Sequence, residues 1–267
     1  MSFLGLEGKK ILIFGIANRK SVAFHIAKIL LEEKAEIISS VMNQENADFV
    51  RKNLPGVPVY VCDVSDETQM KDAAKNISQE QGMLYGIVHS IAFANFADGL
   101  KPFHKTSKKD FLQAIDISCY SLISIADLYK SSMSAEGAIV TISISTTRMA
   151  AESYGCMAPV KAALDSSVAF LAKSLSEDSR IRVNAVGASL LKTSASAGIP
   201  GYLKPYLFAE TATLRKKGLQ TEEVANIATF LLSHRSSGIN AQTVIVDAGM
   251  SINFFDKMIV EAVVDKI

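Results

Sequence analysis

Residues 10–33 read KILIFGIANRKSVAFHIAKILLEE, and this stretch decides the fold. Positions 10–14 form an apolar run of strand length, rich in branched side chains. Gly15 ends it at once. After a short loop, Val22, Ile26, Ile29 and Leu30 recur at helical spacing. Strand, tight loop and helix are, in this order, the parts of a nucleotide-binding βα unit. Ser21 falls at the expected helix N-terminus, where free backbone N–H groups and the positive end of the helix dipole receive a pyrophosphate. The loop keeps one glycine where the dinucleotide fingerprint has three, so by fingerprint alone an ordinary strand-to-helix turn reads equally well.

Outward from this unit the alternation repeats. Residues 36–41 (EIISSV) predict a second strand, whose end carries no acid for a ribose 2′-hydroxyl and no arginine cluster for a 2′-phosphate. Arg19 and Lys20 lie in the first loop, so the coenzyme stays open between NADH, which is favoured, and NADPH. Residues 57–61 predict a third strand running into Cys62-Asp63-Val64. Asp63 is placed either to accept from an adenine amino group or to cap the helix that begins near Asp66. Residues 85–89 predict a fourth, followed by Ser90-Ile91-Ala92-Phe93-Ala94, small enough for a cofactor to approach the backbone. His89 reads as a satisfied core histidine rather than a catalyst. A helical stretch over 108–133 precedes a fifth strand at 137–142. Residues 181–186 and 243–246 complete the series, with a helix over 222–232 between them. Strands alternating with helix-length segments predict a single-domain, Rossmann-like, doubly wound parallel sheet of about seven strands over residues 1–267, with helices on both faces. Ligands bind such sheets at the carboxyl ends of the strands. Gly15, Asp63, Ser90 and Ser143 all fall there.

Composition narrows the partners. The 28 basic and 27 acidic residues give +1, which excludes a general attraction for nucleic acid or an anionic membrane. Cys62, Cys119 and Cys156 form no C-x-x-C pair, so reduced thiols in a cytoplasmic protein are expected, with no metal site. The N-terminus has no basic segment ahead of a long apolar one, and the apolar runs elsewhere are too short to span a bilayer.

Chemistry concentrates in 142–161, ISISTTRMAAESYGCMAPVK, where Tyr154 stands seven positions before Lys161. If both are helical they share one face, roughly 10 Å apart along the axis. A nicotinamide ribose would fill that gap, with Lys161 holding its hydroxyls and Tyr154 offering a proton to the substrate. Taken alone, the pair reads rather as a half-buried tyrosine and a solvated lysine. Further on, the small-residue segment from 194, running to about 217, lacks a strong period and reads as a mobile lid or a plain surface loop. In the tail, 253–267, Phe255, Met258, Ile259, Ala262 and Val263 recur at helical spacing, to pack on the domain or on a neighbouring subunit.

Taken together, GIANRKSVAFHIA, CDVSD, VHSIAFA, DISCYS, Tyr154 with Lys161, RVNAV, LKTSASAGIPG, TLRKKG, TEEVA, FLLS, SSGIN and VDAGMSI follow in an order and spacing that resemble the bacterial enoyl-acyl-carrier-protein reductases of the short-chain dehydrogenase/reductase superfamily. The similarity spans about residues 5–253. Ala158, not lysine, is the fourth residue after Tyr154, and the six-residue gap to Lys161 matches the enoyl reductases rather than the Tyr-x-x-x-Lys enzymes.

The resemblance implies reduction of the trans-2 double bond of a fatty enoyl thioester on acyl carrier protein, the last step of each elongation cycle. Tyr154 would be the donor to the thioester oxygen, and Lys161 would bind the ribose and stabilise the same developing charge. Gly15, Ser21, Val22, Met42, Asp63, Val64, Ser90, Ile91, Ala92, Lys161, Leu191 and Thr193 would line the cofactor. Ala94, Ile144, Tyr154, Ala195, Ile199 and Tyr202 would meet the substrate. A homotetramer is implied, with the 108–133 and 154–175 helices partly at its interfaces.

Three departures mark a divergent member. Ile144 replaces the usual second aromatic, ten residues before Tyr154. Ala188-Ser189-Leu190-Leu191 replaces Ala-Gly-Pro-Ile, removing a proline that would stiffen the turn. Met42 stands where many members carry a polar or basic residue. A related oxidoreductase acting on another enoyl-CoA or on a carbonyl, and a non-catalytic cofactor-binding paralogue, are the other readings. Retention of Tyr154 and Lys161 argues against the last.

Overall fold

Strands β1 (Lys10–Phe14), β2 (Glu36–Val41), β3 (Val59–Val61), β4 (Leu84–His89), β5 (Met133–Ile144), β6 (Arg182–Ala188) and β7 (Thr243–Val246) pair in parallel in the order β3-β2-β1-β4-β5-β6-β7. The structure is a computed structural model that describes residues 2–97, 99, 101–152 and 154–265. The order reverses between β1 and β4, and at such a switch point two neighbouring loops diverge and leave a crevice beyond the carboxyl ends of the strands. There the loops after β1 and β4 meet, Gly15 against Ser90.

Both faces of the sheet are covered, which is why its central strands read as unbroken apolar runs. Alternation along β1 sends Ile11 and Ile13 to one face, where they pack with α1 (Val22–Glu32) and α9 (Thr221–Leu232). Leu12 and Phe14 go to the other face. There they join α3 (Glu67–Gln81), the helical rod before β5 and α6 (Met157–Leu175). On the α1 and α9 face, α2 (Gln44–Asn53) buries Ala47 and Val50.

The rod differs from the expected single helix. It comprises α4 (Lys108–Ile115), a π-turn (Asp116–Tyr120), α5 (Ser121–Tyr129) and a 3₁₀ turn (Lys130–Ser132). Met133 already belongs to β5, because the strand continues toward its N-terminus through polar positions that carry no apolar signal. The rod has 25 residues and an 18-residue window of mean hydropathy 1.3, which makes it long and apolar enough to cross a membrane by length and composition, unlike the short runs read from the sequence. Its buried residues, Ala114, Cys119, Leu122, Ile125, Ala126 and Tyr129, lie in the core against the sheet, which accounts for that composition.

Candidate active site

The floor of the crevice is backbone. Gly15 follows β1 with φ +97°, and a Cβ there would stand 2.1 Å from the carbonyl oxygen of Ser90. Only glycine allows the two loops to approach this closely. Ser21 caps α1 as its position implied: Oγ accepts from Phe24 N at 3.3 Å and donates to Asn18 O at 2.8 Å. No acidic residue occupies the first turn of α1, and Arg19, in the loop before it, is held by Asn53. A glycine floor beside an uncompensated helix N-terminus fits the pyrophosphate of a dinucleotide.

The adenosine side is thinner. Met42 is 60% exposed between β2 and Asn43, which caps α2. Asp63 does not cap α3; Asp66 does, accepting from Thr68 N and Gln69 N. Asp63 instead takes Ser65 N and Oγ on Oδ1. Of the two roles open to it in the sequence, the helix cap is therefore withdrawn. Val64 is half-buried beside it.

Tyr154 is not on the helix that carries Lys161, so the shared-face geometry is corrected. Helix α6 starts at Met157, because Gly155 turns the chain at φ +68° and Pro159 sits in the first turn, where a missing N–H costs nothing. The turn brings Gly155 against Phe96, whose ring a Cβ would meet at 3.4 Å, so the loop after β4 lies over the Tyr154 segment. Burial raises the pKa of the Tyr154 phenol and keeps it neutral and able to donate. The Tyr202 pKa is raised chiefly by burial, and the nearby Tyr154 phenol adds to the rise. Tyr202 OH donates to Leu191 O at 3.0 Å, which ties it to the segment after β6.

Lys161 is 3% exposed, and its Nζ donates to Ile142 O at 2.7 Å and Ile91 O at 3.3 Å. An ammonium has three donors, so one is left for a ligand hydroxyl. Burial lowers its pKa to about 8, against the pull of Asp165 one turn along α6. The Asp165 carboxyl is in turn raised by burial, despite the hydroxyls of Ser143 and Thr243 and the ammonium beside it. Thr243 Oγ1 donates to Asp165 at 3.0 Å, which links α6 to β7.

Beneath these groups His89 is fully buried, between Thr141 Oγ1 at Nδ1 and Ser121 Oγ at Nε2, both 2.8 Å away. Ser121 Oγ donates to Ile117 O at 2.7 Å, so it must accept from His89, which fixes the Nε2–H tautomer. Burial, then Lys161, lowers the histidine pKa to about 3. It is the satisfied core histidine expected. The π-turn offers Ser118, whose Oγ accepts from Phe93 N at 2.8 Å and donates to Phe93 O at 3.1 Å. This clamp on the Ser90–Ala94 loop escaped the sequence reading, as did Asp165, although its i+4 spacing from Lys161 places the two on one helix face.

The segment after β6 is helical, contrary to the aperiodic reading. Thr193 and Ser196 cap α7 (Ser194–Ala197) reciprocally, and α8 (Leu203–Ala212) follows. Tyr206 and Ala209 are buried on α8 while Leu203, Leu207 and Phe208 are exposed, so apolar residues fall on all sides and leave no stripe to read. Ala94, Ile144, Ile199 and Tyr202 are half-buried and Ala195 is exposed. Ile144 ends β5 in register with Ala188.

A family profile described as enoyl-(acyl carrier protein) reductase matches residues 15–251. The chain belongs to the enoyl-acyl-carrier-protein reductase family. It is 34% identical to a FabI reductase of Staphylococcus aureus named as NADPH-dependent, over 92% of this chain and 98% of that protein. It is 33% identical to a FabI of Buchnera aphidicola named as NADH-dependent, over 95% and 99%. Among solved family structures, a Bacillus cereus reductase with NADP+ and an indole naphthyridinone superposes with a TM-score of 0.87 at 31% identity, over 92% and 98% of the two chains. The family thus includes members named for either coenzyme.

Proposed function

We propose that this chain reduces the trans-2 double bond of fatty enoyl thioesters on acyl carrier protein, with NADH or NADPH, in fatty acid elongation. The observation that carries the reading is a neutral, half-buried Tyr154 near Tyr202, with a buried Lys161 ammonium between the ends of β4 and β5.

When bound, the nicotinamide coenzyme supplies the hydride. Gly15, Ser21 and Val22 take its pyrophosphate side; Met42, Asp63 and Val64 the adenosine; Ser90, Ile91, Ala92, Leu191 and Thr193 the remaining length. Lys161 directs its free donor at the ribose. Hydride addition at the β-carbon would leave charge on the thioester oxygen, where Tyr154 donates a hydrogen bond and then the proton that completes the reduction. The Lys161 charge stabilises the same anion. Ala94, Ile144, Ala195, Ile199 and Tyr202 enclose the acyl thioester. Met42 offers a 2′-phosphate no cation, which favours NADH.

The chain acts as one domain and assembles as a homotetramer in the cytoplasm. Exposed Leu112, Tyr120 and Ile123 on the rod and Phe170 on α6 supply apolar surface for such contacts.

The test is loss of reduced-nicotinamide absorbance with a trans-2-enoyl series on coenzyme A and on acyl carrier protein, with NADH and NADPH in parallel. Consumption should depend on the enoyl substrate. Silence on every thioester despite coenzyme binding would transfer the chain to the carbonyl-reducing or non-catalytic reading.

A further inference from the structure

The family match ends at residue 251, and the chain beyond it reaches back to the lid. Asp256 is 9% exposed and caps α10 (Lys257–Val264), accepting from Met258 N at 3.1 Å on Oδ1. Its Oδ2 accepts from Lys216 Nζ and, at 2.9 Å, from Asn253 Nδ2. Both donors also serve the end of α8. Asn253 Nδ2 donates to Ala212 O at 2.8 Å and Lys216 Nζ to Thr211 O at 2.9 Å. Carbonyls in the last turn of a helix have no intrahelical partner, and here one amide and one ammonium fill two of them while meeting on a single carboxylate oxygen. Lys216 makes this reach with φ +54°, a left-handed conformation unfavourable for lysine.

Packing follows the same line. Ala209 and Ala212 of α8 are buried with Met250, and Leu190 and Ile259 pack against them. Ile259 belongs to α10. Leu190 immediately precedes Leu191, whose carbonyl Tyr202 holds. The tail thus touches α8 at its end and on its buried side, and is linked through Leu190 to the segment whose carbonyl holds the Tyr202 phenol.

We infer that Asn253 through α10 is a latch that holds α8 closed over the acyl site, with Lys216, Asn253 and Asp256 as positioning residues for the enoyl thioester. This rests on the reading of 194–217 as the substrate lid. Among the described residues, none of the latch's hydrogen bonds reaches α1 or the Gly15 loop, so the pyrophosphate side of the coenzyme site does not depend on it.

Asp256→Asn keeps the cap acceptor and side-chain volume but removes the charge; Lys216→Met keeps the stem. In the full chain with coenzyme present, amide exchange across 203–212 should quicken roughly fivefold or more in each variant, while exchange in α1 is unchanged. KM for the enoyl thioester should rise by a similar factor, and by more than the coenzyme Kd. The double variant should be no worse than the poorer single one, as expected of residues that act as a unit. Unchanged exchange in both variants overturns the latch. So does faster exchange with an unmoved KM, which would show that α8 is held but not over the acyl site. A parent inactive on every thioester would sink the reading of the site instead, and the exchange measurement would still decide whether the tail holds α8.

Discussion

Lys161 Nζ donates to the Ile142 carbonyl at 2.7 Å, so the ammonium is fastened to the end of β5 by backbone rather than by a carboxylate. Its charge is therefore sustained by carbonyl dipoles and by Asp165 one turn away, and burial brings its pKa from 10.5 to about 8. The ammonium is present below that pH and lost above it. In the free enzyme, kcat/KM should fall as pH rises through about 8. The same limb surviving in Lys161→Ala would assign it to another group. Stability should move the other way: between about 8 and 10.5 the unfolded chain binds more protons than the folded one, so this group makes the fold more stable as pH rises across that window.

Tyr154→Phe removes one hydroxyl from a phenol that burial keeps neutral. Turnover should drop about 100-fold or more, the scale of a positioned proton donor. Coenzyme affinity should stay as in the parent, because no coenzyme contact is assigned to this hydroxyl. Pre-steady-state turnover and coenzyme fluorescence separate the two. A phenylalanine variant as fast as the parent would remove Tyr154 from the chemistry.

Gly15→Ala places a methyl 2.1 Å from Ser90 O in a backbone region closed to most side chains. The two loops must part to admit it. The change should cost about 2 kcal/mol or more in urea unfolding and weaken coenzyme binding in the same protein. Parental stability and affinity together would mean that the crevice floor is not set by this contact.

What the sequence made legible follows from period and punctuation. Apolar runs ended by Gly15 or His89 marked β1 and β4, and Ser21 marked the start of α1, because each signal is local. Tyr154 was misplaced on a helix although Gly155 and Pro159 both announce a start at Met157. Helix α8 was missed because it has no apolar stripe. The roles of Ser118 and Asp256 depend on partners 25 and 40 residues away, Phe93 and Lys216, and no spacing rule reaches that far.

His89 gives the fold an acid-sensitive core. Its Nε2–H serves Ser121 and its Nδ1 accepts from Thr141, so removing the ring leaves two buried hydroxyls short of a partner. His89→Leu should cost roughly 2–4 kcal/mol at neutral pH. With the folded pKa near 3 against an ordinary 6.5, the unfolded chain alone takes up this proton between those values. Stability from this residue is then complete above pH 6.5 and is lost as pH falls toward 3. Urea midpoints at neutral pH and at about pH 4.5 provide the check, that lower pH lying inside the window in which a lowered histidine pKa acts. His89→Leu, less stable at neutral pH, should lose less than the parent on acidification. Equal losses in the two proteins would show that other groups drive the acid response and that the buried ring does not stay neutral at the expense of the fold.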